Sequence, residues 1–281
     1  MSFSIFGVEI FVYGIMIALA ILSAFICGLL IFKKLKYDEN IAYLILAICL
    51  PLGIILARLY FVAFHGSVQS FADVFDIRSG GMAIYGGIIG GALGLFIVAR
   101  IKKVGFYTLA DVVVICVILA QAIGRWGNFF NILGDRPEGI GVQVSNHVPP
   151  FTSLVDGVPH FSFWFFESIL NFIGFGVMLW LFFWLRSKGK YRWGIISGVY
   201  LVWYGLTRAV LEAFRTDTLL IFGSNQIVFN RVSFVLSIAL VILGMLLLWA
   251  VKRGYVSQEN NACIKNQQPN LETETQTPTD T

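Results

Sequence analysis

Seven runs of about twenty apolar residues, each long enough to cross the hydrocarbon of a bilayer as a helix, constrain this chain more than any other feature. They fall at 8–32, 41–64, 81–99, 107–124, 161–185, 193–213 and 230–250. Charged residues make up 13% of the sequence and the mean hydropathy is +0.81. A soluble domain has nowhere to bury that much apolar surface, and lipid is the solvent that accepts it. The expectation is an all-α integral membrane protein, a bundle of seven transmembrane helices with an irregular outer-face segment at 125–160. That segment holds four prolines, Pro137, Pro149, Pro150 and Pro159, among several glycines. Residues 1–253 form the membrane body and 254–281, polar and without apolar periodicity, a disordered tail.

The basic residues give the orientation. Lys33, Lys34 and Lys36, then Arg100, Lys102 and Lys103, then Arg186, Lys188, Lys190 and Arg192, then Lys252 and Arg253 follow alternate spans, and they are twelve of the twenty Lys and Arg. With an odd number of spans all twelve share one side, which the positive-inside rule makes cytoplasmic. The N-terminus is then outside and the tail inside. The start of the chain carries no basic stretch before its apolar run, which argues against a removable signal peptide.

Charges are costly in lipid, so polar groups within spans are the candidate functional groups. At the outer end of the fourth span stands Gly124-Arg125-Trp126-Gly127-Asn128-Phe129-Phe130-Asn131. A guanidinium grips phosphate with a planar fork. Asn128 and Asn131 share a helical face, and Gly124 and Gly127 leave room for a headgroup against the backbone. An interfacial arginine snorkelling to the headgroups beside a belt tryptophan is an equally open reading. In the sixth span Tyr204, Arg208, Glu212 and Arg215 form one stripe, with a carboxylate set between two arginines. An ion-pair ladder between helices is the structural alternative. Gly86, Gly90 and Gly94, with Gly87 and Gly91, make a small-residue surface best suited to close helix packing; Tyr85 beside it is either a belt aromatic or a site hydroxyl. Arg58 and Glu167 are lone charges within spans that each need a partner. The histidines (His65, His147, His160) and cysteines (Cys27, Cys49, Cys116, Cys263) have no metal-ligand spacing, and no GxSxG, Walker loop or HExxH is present.

These residues, in this order, resemble the prolipoprotein diacylglyceryl transferase family. The element GRWGNFFN at 124–131 is similar to the family signature. Tyr13-Gly14, Ala57-Arg58-Leu59-Tyr60, GGMAIYGGIIGG at 80–91, Asp111, Gln121, Glu167-Ser168 and YGLTRAVLEAFRTD at 204–217 follow the family's sequence of matches across nearly the whole membrane body. The resemblance implies a multi-pass enzyme of the bacterial cytoplasmic membrane. Such an enzyme moves the diacylglyceryl group of phosphatidylglycerol onto the lipobox cysteine of a prolipoprotein signal peptide and releases glycerol phosphate. It implies no cofactor, metal or nucleic acid; its partners are phosphatidylglycerol, the prolipoprotein and the surrounding lipids. Carried onto this chain, it makes Arg125, Arg208, Glu212 and Tyr204 catalytic. Arg125 takes the lipid phosphate, Arg208 the leaving phosphate with Glu212 orienting it, and Tyr204 is a hydroxyl donor. Arg125, Asn128, Asn131, Tyr85, Tyr13 and Arg215 bind substrate, Arg215 at the cavity mouth. The chain departs from the family at Tyr85, where some members carry His, and at Leu133, where Glu is usual. It also lacks a Pro after Asp111, and Phe161-Ser162-Phe163 replaces His-Pro-Thr. A transporter or channel using the buried Arg and Glu groups, or an inactive lipid-binding relative, are the other function classes. The first would favour inverted repeats, and no matching halves are visible.

Overall fold

The structure is a computed structural model, and it describes residues 2–5, 8–65, 81–132, 140–155, 157–212 and 232–256. A short antiparallel hairpin, β1 (Ser2–Ile5) with β2 (Val8–Phe11), leads into α1 (Val12–Lys34). Then come α2 (Asn40–His65), α3 (Ile84–Ile101), α4 (Phe106–Gly124) and the short α5 (Trp126–Ile132). Strands β3 (Ile140–Gln143), β4 (Thr152–Val155) and β5 (Val158–Ser162) precede α6 (Phe163–Ser187), α7 (Ile195–Glu212) and α8 (Val232–Arg253).

Among the described residues six helices are long and apolar enough to cross a membrane. The seventh long helix, α7, carries Arg208 and Glu212 within its 18 residues, and this polar stripe sets it apart from the six. Helix bounds differ from the apolar runs by a few residues at each end. The largest shift is at the first span, because Val8–Phe11 pairs with Ser2–Ile5 and the helix begins only at Val12.

Two corrections apply to the segment 125–160. Residues 126–132 form a helix, and a three-stranded antiparallel sheet of order β3-β5-β4 follows, with Thr152 opposite Phe161 and Val155 opposite Val158. Proline and glycine suggested an irregular chain, whereas Pro159 sits inside β5 opposite Leu154, and Ser153 and Ser162 join their hydroxyls at 2.6 Å. Residues 254–256 are described and the rest of the expected tail lies outside the described residues, as do His65's side chain and Cys263.

Packing follows from the small-residue faces. Gly90 and Gly94 of α3 lie against α2: a Cβ on Gly90 would come within 2.5 Å of the Leu52 carbonyl oxygen, and one on Gly94 within 2.9 Å of Cys49 Cα. Helix α4 is central, packed on α1, α6 and α7, while α7 packs along α8. By contrast α1 and α2 touch sparingly. The densest core joins the basic ends of the helices, around Phe32, Ile41, Val98, Leu109, Met178, Phe182 and Ile196. Asp111, fully buried on α4, ties this end together. It accepts from Gly194 N–H at 2.7 Å, from Ser197 N–H at 2.7 Å, from the Ser197 hydroxyl at 2.6 Å and from the Tyr191 hydroxyl at 2.5 Å. The carboxylate thereby meets orphan N–H groups at the start of α7. Burial, then the adjacent Asp111 charge, push the Tyr191 hydroxyl well above the usual tyrosine range, so it stays a donor.

Candidate active site

The site forms at the opposite end of the bundle, where α4 breaks into α5. Arg125 occupies the break, just past the C-terminus of α4 in helical backbone conformation. Two groups hold the break in place. The Ser168 hydroxyl on α6 donates to the Ala122 carbonyl at 2.7 Å, and Trp126 Nε1 donates to the Ser168 oxygen at 3.0 Å. The Trp126 ring then packs edge-on against Trp164, centroids 5.4 Å apart, which docks α5 on α6. At Gly127 the space is taken by α1 and not by a ligand: a Cβ there would lie 2.7 Å from Tyr13 Cδ2. The glycine admits the Tyr13 ring to the site, which corrects the expectation of headgroup room at that residue.

Glu167 is the centre of the charge cluster. Its carboxylate meets Arg125 Nε at 2.5 Å through Oε2 and Arg208 Nη1 at 2.6 Å through Oε1. Arg208 in turn faces Glu212, Nη2 to Oε2 at 3.7 Å. Glu167 keeps 7% of its side-chain surface exposed, while Arg125 keeps 27%. The guanidinium of Arg125 uses its Nε edge for Glu167, which leaves its Nη donors available to an anion. Glu212, expected between Arg208 and Arg215, faces Arg208, and a second carboxylate, Glu167, stands between Arg125 and Arg208. Arg215 lies outside the described residues, and so does the side chain of Asn131.

Two cavities meet at this cluster. The larger, about 530 Å³, runs between α1, α2 and α4. Its polar end is formed by Arg125, Asn128, Asn171, Gln121, Tyr204 and Tyr13, and its remaining wall is built from apolar side chains, glycines and cysteines from Ile17 down to Phe32, Ala42 and Cys116. The smaller joins Arg125, Glu167, Asn171, Tyr204 and Arg208. Arg125, Asn171 and Tyr204 line both, so the two arginines share one chamber. Asn128 is buried at its edge. Tyr85 sits on α3 beside Tyr60, centroids 6.1 Å apart, within Coulombic reach of Arg208, Tyr204 and Glu212. Asp111 stands away from the site in the fold's other half, and Arg58 donates to the Gly81 carbonyl at 2.9 Å, closing α2 onto the start of α3.

The fold and site together define a multi-pass membrane bundle in which an apolar cavity ends in polar groups beside two arginines bridged by one carboxylate. A family model described as prolipoprotein diacylglyceryl transferase matches residues 1–250. A phosphatidylglycerol–prolipoprotein diacylglyceryl transferase of Finegoldia magna is 34% identical over 260 residues, 92% of this chain and 98% of the relative. Proteins of the same name are 36% identical in Clostridioides difficile, over 78% of this chain and 84% of the relative, and 36% identical in Listeria monocytogenes, over 83% and 82%. The chain belongs to the prolipoprotein diacylglyceryl transferase family.

Proposed function

We propose that this protein transfers the diacylglyceryl group of phosphatidylglycerol to the lipobox cysteine of a prolipoprotein. The observation that carries the reading is Arg125 at the polar head of an apolar cavity, joined through Glu167 to Arg208 in the smaller adjoining cavity. The cavity suits acyl chains. Among the described residues, its lining below Gln121 and Asn171 is apolar side chains, glycines and cysteines, not the polar path for a hydrated ion that a channel would need.

In this reading the cysteine sulfur attacks the glyceryl carbon that bears the phosphate. A carbon–sulfur bond forms, the carbon–oxygen bond to phosphate breaks, and glycerol phosphate leaves with the bonding pair. The thiol proton is lost as the phosphate passes from a singly charged diester to a monoester of greater charge. Catalysis therefore consists of holding that growing charge in a low-dielectric site with donors already aimed at it. Arg125, with free Nη donors, binds the lipid phosphate, and Asn128 and Asn131 bind the headgroup glycerol. Arg208, fixed by Glu167 and Glu212, neutralises the leaving phosphate, with Tyr204 as a hydroxyl donor and Arg215 at the mouth. Tyr85 and Tyr13 line the substrate's approach.

Seven spans complete the picture, α7 being the seventh through its packing on α4, α6 and α8. The clustered Lys and Arg then face the cytoplasm, the site opens to the outer leaflet of the cytoplasmic membrane, and the N-terminus lies outside. The deciding experiment incubates membranes bearing the protein with phosphatidylglycerol and a lipobox peptide. A mass gain of one diacylglyceryl group on the peptide cysteine, with glycerol phosphate released, is expected; an unmodified cysteine rejects the reading.

A further inference from the structure

Below the charged layer lies a second, uncharged one. Gln121 stands one turn before Arg125 on α4, Asn171 one turn after Glu167 on the antiparallel α6, and Tyr204 one turn before Arg208 on α7. One turn is roughly 5.4 Å along a helix, so three helices bring these side chains to a common depth beneath the arginines. All three line the larger cavity. Asn171 is 6% exposed and borders both cavities. Gln121 donates through Nε2 to the Tyr200 hydroxyl at 2.9 Å, and its Oε1 is buried without a partner. Tyr200 stacks on Tyr204, centroids 5.8 Å apart, which fixes the Tyr204 ring.

A carboxamide on the wall of this cavity, just above its apolar remainder, presents two N–H donors to whatever ligand group lies at that depth. We infer that the Asn171 carboxamide forms a subsite for an ester carbonyl oxygen of the diacylglyceryl unit. The inference rests on the transferase reading for the identity of the lipid. With the phosphate on Arg125, the three-carbon glyceryl unit spans a distance comparable with one helical turn. The ester carbonyls then fall at the Asn171 level, where N–H donors are the complementary groups. Below them the acyl chains enter the apolar remainder. The substrate class so defined is a glycerophospholipid whose chains are joined by carboxylic esters. A dialkyl ether lipid of the same headgroup lacks those acceptors.

The test measures binding to the purified full chain in detergent, comparing 1,2-diacyl- with 1,2-di-O-alkyl-phosphatidylglycerol of equal chain length. The unaltered protein is expected to hold the diester about three- to tenfold more tightly, the range of one or two hydrogen bonds. Asn171→Leu brings the diester down to the level of the diether and leaves the diether unchanged; Asn171→Ala does the same should leucine perturb packing. Arg125→Ala weakens both lipids alike. Equal affinity of the unaltered protein for the two lipids, or a diester preference that survives both substitutions, overturns the subsite. A diester preference lost on substitution upholds it even if the peptide cysteine is never modified, an outcome that counts against the transferase reading alone.

Discussion

The carboxylate of Glu167 and the guanidinium of Arg125 meet at 2.5 Å across the α4–α6 interface, on residues 42 positions apart in the chain. The same carboxylate reaches Arg208 at 2.6 Å. One anion thus holds two cations together, and it sets the distance between the two guanidiniums.

Glu167→Gln keeps the side chain's volume and removes its charge, leaving two guanidiniums to repel each other. Transfer is expected to fall by about two orders of magnitude, within the range found when preorganised charge stabilisation is lost. Removing one partner of a buried ion pair costs about 3–5 kcal/mol, and the partial exposure of both arginines reduces that here to about 2 kcal/mol. Thermal unfolding in detergent, read beside the transfer rate, separates the two effects. Full activity in Glu167→Gln contradicts the role.

Ser168 lines neither cavity, yet its hydroxyl serves both the Ala122 carbonyl and Trp126 at the break that presents Arg125. Ser168→Ala removes two hydrogen bonds of about 1 kcal/mol each. The expected result is a several-fold fall in the turnover rate and a modest drop in unfolding temperature. An unchanged rate places the hydroxyl outside the presentation of Arg125.

Asp111 governs stability and not chemistry. Asp111→Ala strands the Gly194 and Ser197 N–H groups and the buried Tyr191 hydroxyl, and a cost of about 3–5 kcal/mol is expected. Protein that does fold at low temperature should transfer at a near-normal rate. A folded Asp111→Ala protein with no activity would move this residue into the site's machinery.

The pair Lys102–Asp38, at the basic end of the bundle, 3.2 Å apart with each side chain 31% exposed, is a contrast. Burial raises the Asp38 pKa, but the Asn40 N–H and Lys102 outweigh it and hold the carboxyl below its usual range. A depressed carboxylate stabilises the fold above its unfolded value near 4 and loses that contribution as pH falls through the lower folded value. Exposed pairs of this kind contribute at most about 1 kcal/mol. Asp38→Asn should shift the unfolding temperature little at pH 7, and the shift should vanish toward pH 3; a shift that persists at low pH contradicts the ion-pair origin.

Six spans were legible because hydrophobic runs of bilayer length leave few alternatives, and the polar face of α7 was legible because Tyr204, Arg208 and Glu212 recur every four residues in an otherwise apolar segment. Glu167 stood out as a lone charge in a span and as part of a family match, but its partners were hidden, since both lie about forty residues away and pair through the tertiary fold. Gln121 and Asn171 escaped notice as site residues because a neutral amide in an apolar run carries no charge signal; an amide within a span is the cue that would have found them. The β3-β5-β4 sheet was hidden by short strands interrupted with proline and glycine. Val8–Phe11 read as membrane because its apolar residues run into those of α1.

The account stands or falls on whether the two guanidiniums act on the phosphate. The most direct measurement is the single-turnover rate of diacylglyceryl transfer from phosphatidylglycerol to a lipobox peptide, for Arg125→Ala and Arg208→Ala proteins whose unfolding temperatures show them folded. The account predicts a loss of at least about a hundredfold for each. A folded Arg125→Ala protein that transfers within about threefold of the unaltered rate, less than a single ordinary hydrogen bond commands, contradicts it.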